Sequence, residues 1–165
     1  MNFNLSFICL IVPTMQRITR LLIIVVILGS LTRCGPGFEN HQLAGKYSGV
    51  EWEFRAAKAI VNKANTDVLV FEISNSELTT LCGTHGDGSI ISTTCPAEIG
   101  TYEFGEPTLR VVTFESSSTS LRISRGAIQL LSIDKSKNIV KARLIAEYDE
   151  LNYINGYFTA NLCYE

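Results

Sequence analysis

The chain has 165 residues and a formal charge of −2. Three basic residues, Arg17, Arg20 and Arg33, precede Cys34 and every acidic residue follows it, so the part from Cys34 onward carries −5. That part is about 130 residues long, enough for one domain and too short for two. Its acidic balance excludes the basic footprint of a nucleic-acid binder and the basic patch of a protein drawn to anionic lipid.

The chain opens with MNFNLSFICLIVPT, whose apolar patch Phe7–Val12 contains Cys9 and stops at Pro13. Met15 then begins a compact unit: Arg17 and Arg20, an unbroken apolar run Leu21–Leu28, and Gly29 and Ser30. A basic start, a short apolar core and a small-residue exit are the parts of an export signal. Met15 is therefore read as the true start, with one long leader over 1–33 as the alternative. A membrane span is disfavoured, because Leu21–Leu31 is shorter than the ~20 residues a helix needs to cross. Extending it back to Phe7 would bury two arginines in the bilayer.

Cys34 follows this unit and stands where lipoprotein signals are cut and lipidated. Leu31 and Thr32 fit the −3 and −2 positions, while Arg33 departs from the small residue usual at −1. Cys34 is the lipidation candidate. An ordinary signal cut near Gly29–Ser30 is the alternative. Residues 34–45 are polar and contain glycine, and they read as a tether; the domain is placed at 46–165.

From Lys46 on, short β-rich runs alternate with turn residues. Val50–Ala57 is read as a strand, continuing toward Val61, although EWEFRAAKAIVNKA would also make a helix by composition. Asp67–Ile73 alternates, with Val68, Val70 and Glu72 on one face and Leu69, Phe71 and Ile73 on the other. Leu109–Glu115, Leu121–Ile123 and Ala127–Ile133 are further strands, with Ser116–Ser120 an exposed loop. In Ile139–Tyr148, Val140, Ala142, Leu144, Ala146 and Tyr148 share a face. Gly156–Tyr164 puts Phe158, Ala160, Leu162 and Tyr164 together. Period two with one wet face marks antiparallel sheet. Asp134–Asn138 and Asp149–Asn155 read as turns between consecutive strands. The expectation is a single all-β antiparallel sandwich or open barrel, built largely as a meander.

Several of these segments carry a resemblance. GAIQLLSID at 126–134, Tyr148-Asp149, Asn155-Gly156-Tyr157-Phe158 and the late Cys163, with Trp52–Phe54 and Gly100–Tyr102, resemble small cell-envelope lipoproteins of Bacteroidetes-type bacteria. The resemblance covers most of residues 45–163. It implies an all-β, signal-bearing lipoprotein domain whose shared motifs are turns and core positions, with no chemistry in them.

Setting aside Cys9 and Cys34, the remaining cysteines are Cys82, Cys95 and Cys163. Cys82 and Cys95 bracket the glycine-rich GTHGDGSIISTT, so they are the preferred disulfide, worth ~3 kcal/mol on the chain-entropy model. A bridge from either to Cys163 is the competitor. Without a CxxC pair, no zinc site is expected.

His85 and Asp87 sit in that segment as Thr-His-Gly-Asp-Gly, where a metal ligand or base is conceivable. The expected reading is a solvated turn, with glycines supplying positive φ and His85 exposed. His41 is expected to lie exposed in the tether. The acid pairs Glu51/Glu53, Glu103/Glu106 and Asp149/Glu150 read as solvated turn residues, since glycosidase work needs two carboxylates fixed across a cleft. Tyr47, Trp52, Phe54, Tyr102, Phe104, Tyr153, Tyr157 and Tyr164 read chiefly as core and cross-strand packing, with Tyr153 and Tyr157 the pair nearest solvent.

No catalytic, cofactor or metal site is expected. The functional expectation is an exported, lipid-anchored, non-catalytic binding or structural module at the cell envelope. Its partners would be the membrane, through the N-terminal lipid, and an envelope protein, glycan or small ligand. A lipocalin-like carrier is the alternative and requires a hollow barrel. A small envelope hydrolase is the less favoured one; a cleft with facing carboxylates, or His85 beside a carboxylate, would point to it.

Overall fold

The computed structural model describes residues 37–165 apart from 63–64, 107–109 and 117–118; the lipidation candidate Cys34 lies outside the described residues. Eleven strands follow one another in the order β1 Ala44–Tyr47, β2 Val50–Glu53, β3 Ala56–Asn62, β4 Asn65–Ser74, β5 Ile90–Pro96, β6 Gly100–Glu103, β7 Val112–Glu115, β8 Ser120–Ile123, β9 Gly126–Asp134, β10 Ile139–Asp149 and β11 Asn152–Tyr164. There is no helix among the described residues, and the strands form one large curled sheet, a half-barrel.

Alternation makes these strands. In β10, Val140, Ala142, Leu144 and Ala146 are buried, and Lys141 and Glu147 are exposed. In β4, Leu69, Phe71 and Ile73 face the core, and Val68, Val70 and Glu72 occupy the other face. Side chains two apart share a face, so each strand supplies a row to one continuous core. That core includes Trp52, Phe71, Phe114, Leu130, Leu144 and Phe158. Tyr47 stacks on Phe114 at 5.5 Å between ring centres. The Trp52 indole N–H donates to Ser89 Oγ at 2.9 Å, satisfying its one polar atom where it is buried.

The sheet runs β6-β9-β10-β11-β3-β4-β5-β7-β8, with β1 paired to β11 and β2. β9, β10 and β11 form the expected meander. β11 then does something local periodicity does not reveal. One of its edges pairs with β10 throughout; the other is shared. Residues 153–155 pair with β1, while Asn161–Tyr164 pair with β3 in parallel. Between these two regions the segment His41–Leu43 lies against Tyr157, which donates its N–H to the His41 carbonyl and accepts from the Leu43 N–H, both at 2.8 Å. Leu43 is buried, so the sheet draws in the end of the stretch read as tether.

Other differences from the sequence reading are local. The strand expected over Val50–Ala57 is two strands, broken at Phe54–Arg55, whose N–H groups donate to the carbonyls of Leu43 and Ser74. Tyr148 is 57% exposed despite its place in the β10 alternation, because a register shift between Glu147 and Asp149 ends the pattern. The turn expected over Asp149–Asn155 is shorter, with β11 beginning at Asn152. There the Asp149 carboxylate accepts from the Leu151 N–H and the Asn152 amide.

Candidate functional site

Residues 75–89, between β4 and β5, form a flap folded on the outer face of the sheet, the face away from the core. Its base is closed by Asn75 Oδ1, which accepts the Ser89 N–H at 3.0 Å, and by Ser74 Oγ, which accepts the Ser76 N–H at 3.0 Å. Its two arms run antiparallel. Gly86 N–H donates to the Glu77 carbonyl, Thr79 N–H to the Thr84 carbonyl, and Leu78 bridges His85. Two of its glycines, Gly83 and Gly88, serve close approach and not positive φ. A Cβ on Gly83 would lie 2.4 Å from Thr79 Oγ1, and one on Gly88 would lie 2.6 Å from Asn75 Oδ1.

The tip is fastened to the C-terminal strand. Cys82 is disulfide-bonded to Cys163, and the Asn161 amide donates to the Leu81 carbonyl at 2.9 Å. This corrects the expected Cys82–Cys95 bridge. Ile90–Pro96 is a strand, and Cys95 lies on its core side opposite Leu69, whereas Cys82 lies over the outer face. The sheet itself separates the two sulfurs. Cys95 is a free, buried thiol whose pKa is pushed up to about 12 by burial, so it stays unreactive. The Cys82–Cys163 disulfide suits an oxidising, extracytoplasmic compartment.

Beneath the flap, register pairs Asn161 of β11 with Lys58 of β3, and Lys58 with Glu72 of β4. The three therefore share the outer face in a row. Lys58 Nζ lies 3.0 Å from a Glu72 carboxylate oxygen, with the lysine side chain 10% exposed. His85 comes down from the flap, contrary to its expected exposure. Its side chain is 1% exposed, and Nε2 lies 3.7 Å from Glu72. That is too long for a hydrogen bond, and neither ring nitrogen has a hydrogen-bond partner. Burial, chiefly, and the Lys58 ammonium push the His85 pKa below its ordinary value, against the pull of Glu72. Asp87, its sequence neighbour, stays exposed. Sequence reasoning missed Lys58 and Glu72. Alternation did place Glu72 on the outer face, but the lysine opposite it is a matter of strand register.

Two open grooves lie among the described residues. One, of about 430 Å³, lies between the flap, β3 and β11, and includes Phe54, Ala57, Leu78, Leu81 and Thr159. The other, of about 750 Å³, lies along β1, β10 and β11, with Glu39, His41, Glu51, Glu147, Asp149 and Glu150 in its lining. His85, Glu72 and Lys58 line neither. His41 is exposed as expected and has a partner that spacing did not reveal: its ring contacts the Glu39 carboxylate and the Gln42 carbonyl. The Gln42 carbonyl first, then Glu39, raise its pKa.

The expected acid pairs are dispersed on the surface. Glu51 pairs with Lys46 at 3.5 Å and Glu53 with Arg55 at 3.7 Å; Glu103, Glu106, Asp149 and Glu150 are exposed. Among the aromatics, Tyr47, Trp52 and Phe104 are buried, Phe54 and Tyr102 are half-buried, and Tyr153, Tyr157 and Tyr164 face solvent. Among the described residues no three His, Cys, Asp or Glu side chains gather as a metal site. Comparison with protein-family models, with curated proteins and with solved structures finds no match.

Proposed function

We propose that the chain is an exported, non-catalytic binding or bracing module, held at the cell envelope by lipid on Cys34. The observation that carries the reading is the disulfide-fastened flap. It suits an oxidising compartment, and it covers the His85–Glu72 contact on the sheet's outer face, with neither residue lining either groove. The leader at 15–33 supports export, and Cys34 at its exit supports anchoring. Binding would use the open surfaces, of which the acidic groove along β1, β10 and β11 is the larger described here. The carrier reading draws no support from the inner face, which Trp52, Phe71, Phe114 and Phe158 fill. Metabolic labelling with a palmitate analogue tests the anchor: the full chain takes up label and Cys34→Ser does not. Label that survives the substitution rejects it.

The hydrolase reading keeps one observation in its favour, His85 beside Glu72. It predicts that His85→Ala abolishes a measurable hydrolytic activity. The binding-module reading predicts that no such activity exists and that the tagged chain retains a partner from the envelope fraction.

A further inference from the structure

The flap is secured at its base by Asn75 and Ser89 and at its tip by Cys82 and Leu81. Between these fastenings its descending arm lodges one polar side chain, His85, against the sheet. A neutral imidazole without hydrogen bonds is tolerable there at some cost. An imidazolium costs more, because burial takes its charge out of water and the nearest carboxylate, Glu72, lies beyond hydrogen-bond distance. The charged groups facing the ring are Glu72 on β4 and Lys58 on β3. Lys58, at 3.0 Å, already engages the carboxylate and itself repels a second cation. β5 presents Ser92 beside Glu72, and β11 presents Asn161 and Cys163, none of them charged. The flap's own acids, Glu77 and Asp87, are exposed.

We propose that the flap is an acid-opened cover. A proton on His85 lifts the arms at 76–81 and 83–88 from the outer face while the Cys82–Cys163 disulfide keeps the tip in place. Opening uncovers the Lys58–Glu72 pair. It also reshapes the adjoining groove, four of whose lining residues, Glu77, Leu78, Thr80 and Leu81, belong to the flap. The device is therefore a pH-gated cover. The sign follows from linkage. The open flap exposes His85 with its ordinary pKa of 6.5, and the closed flap lowers it. The closed state is at full strength above about pH 6.5 and weakens as pH falls from there toward the closed-state pKa. His41 has the opposite shift, so it does not mimic the effect.

Hydrogen exchange of the full chain, corrected for intrinsic exchange rates, tests this at pH 7.5 and 5.0. Peptides covering 76–81 and 83–88 are expected to exchange roughly tenfold faster at the lower pH, with β9 and β10 unchanged. In His85→Leu the flap keeps the same protection at both values. Equal flap protection in the wild type, or opening that persists in His85→Leu, overturns the proposal. Should His85→Leu lose protection in β9 and β10 as well, a pH series on the wild type decides. Opening that begins near pH 6.5 supports the cover, and opening that begins only where carboxylates titrate, near pH 4, refutes it.

Discussion

Phe71 and Phe158 meet edge to face at 5.6 Å, and Phe54 tilts against Phe158 at 6.1 Å. Phe71 is fully buried between β3 and β5, so truncation leaves a cavity that strand backbones cannot close. Phe71→Ala should cost about 3–5 kcal/mol, read as a lowered urea midpoint with an unchanged slope. A loss below about 1 kcal/mol would mean that the inner face is not packed as described. Gly156 works by omission. Its φ is +136°, and a Cβ there would stand 2.7 Å from the His41 carbonyl oxygen and 2.8 Å from Leu43 Cα. This is where β11 changes partners from β1 to β3, so the crossing segment must pass within backbone contact. Gly156→Ala adds both strain and a clash with backbone, and a loss of at least about 1–3 kcal/mol in thermal or urea unfolding is expected. Stability equal to the wild type would show that His41–Leu43 does not lie there.

The flap is the element whose behaviour is most separable from the rest. Its disulfide joins residues 81 apart in sequence, and a closed loop of that size is worth about 4.5 kcal/mol on the chain-entropy model. Replacing Cys82 and Cys163 together by serine should lower stability by up to that amount. Exchange protection should fall further in 76–88 than in β9 and β10, which lose only what global unfolding loses. A loss in 76–88 no greater than that in β9 and β10 would mean that the bridge acts on the whole fold and not on a cover. This element was also the least legible in the sequence. Alternation revealed β4, β10 and most of β11, because each buries every second residue over most of its length; β9 was legible as a β-rich run after Gly126. It did not reveal β5, since Ile90–Pro96 reads as the tail of a glycine-rich loop. Missing β5 left Cys95 free to pair with Cys82, when the strand turns its sulfur into the core. His85 failed for a related reason. Its local signal is Thr-His-Gly-Asp-Gly, a turn composition, while its burial comes from Lys58 and Glu72, whose juxtaposition is fixed by the β3–β4 register. The parallel β11–β3 pairing joins strands about a hundred residues apart, and no local pattern encodes it.

At the scale of the molecule, the described residues close a large core with one sheet and one covalent staple. The half-barrel is filled by aliphatic side chains and a few large aromatics. Its outer face is partly covered, and that cover is tied to the last strand. The same disulfide joins the structural reading to the cellular one, because it serves the fold only where thiols oxidise. Non-reducing peptide mapping of the protein recovered from its own cells tests both together. A Cys82–Cys163 crosslinked peptide is expected, with a free Cys95 thiol that reacts with alkylating agents only after denaturation. A Cys82–Cys95 crosslink, or Cys82 and Cys163 both recovered as free thiols, would contradict it.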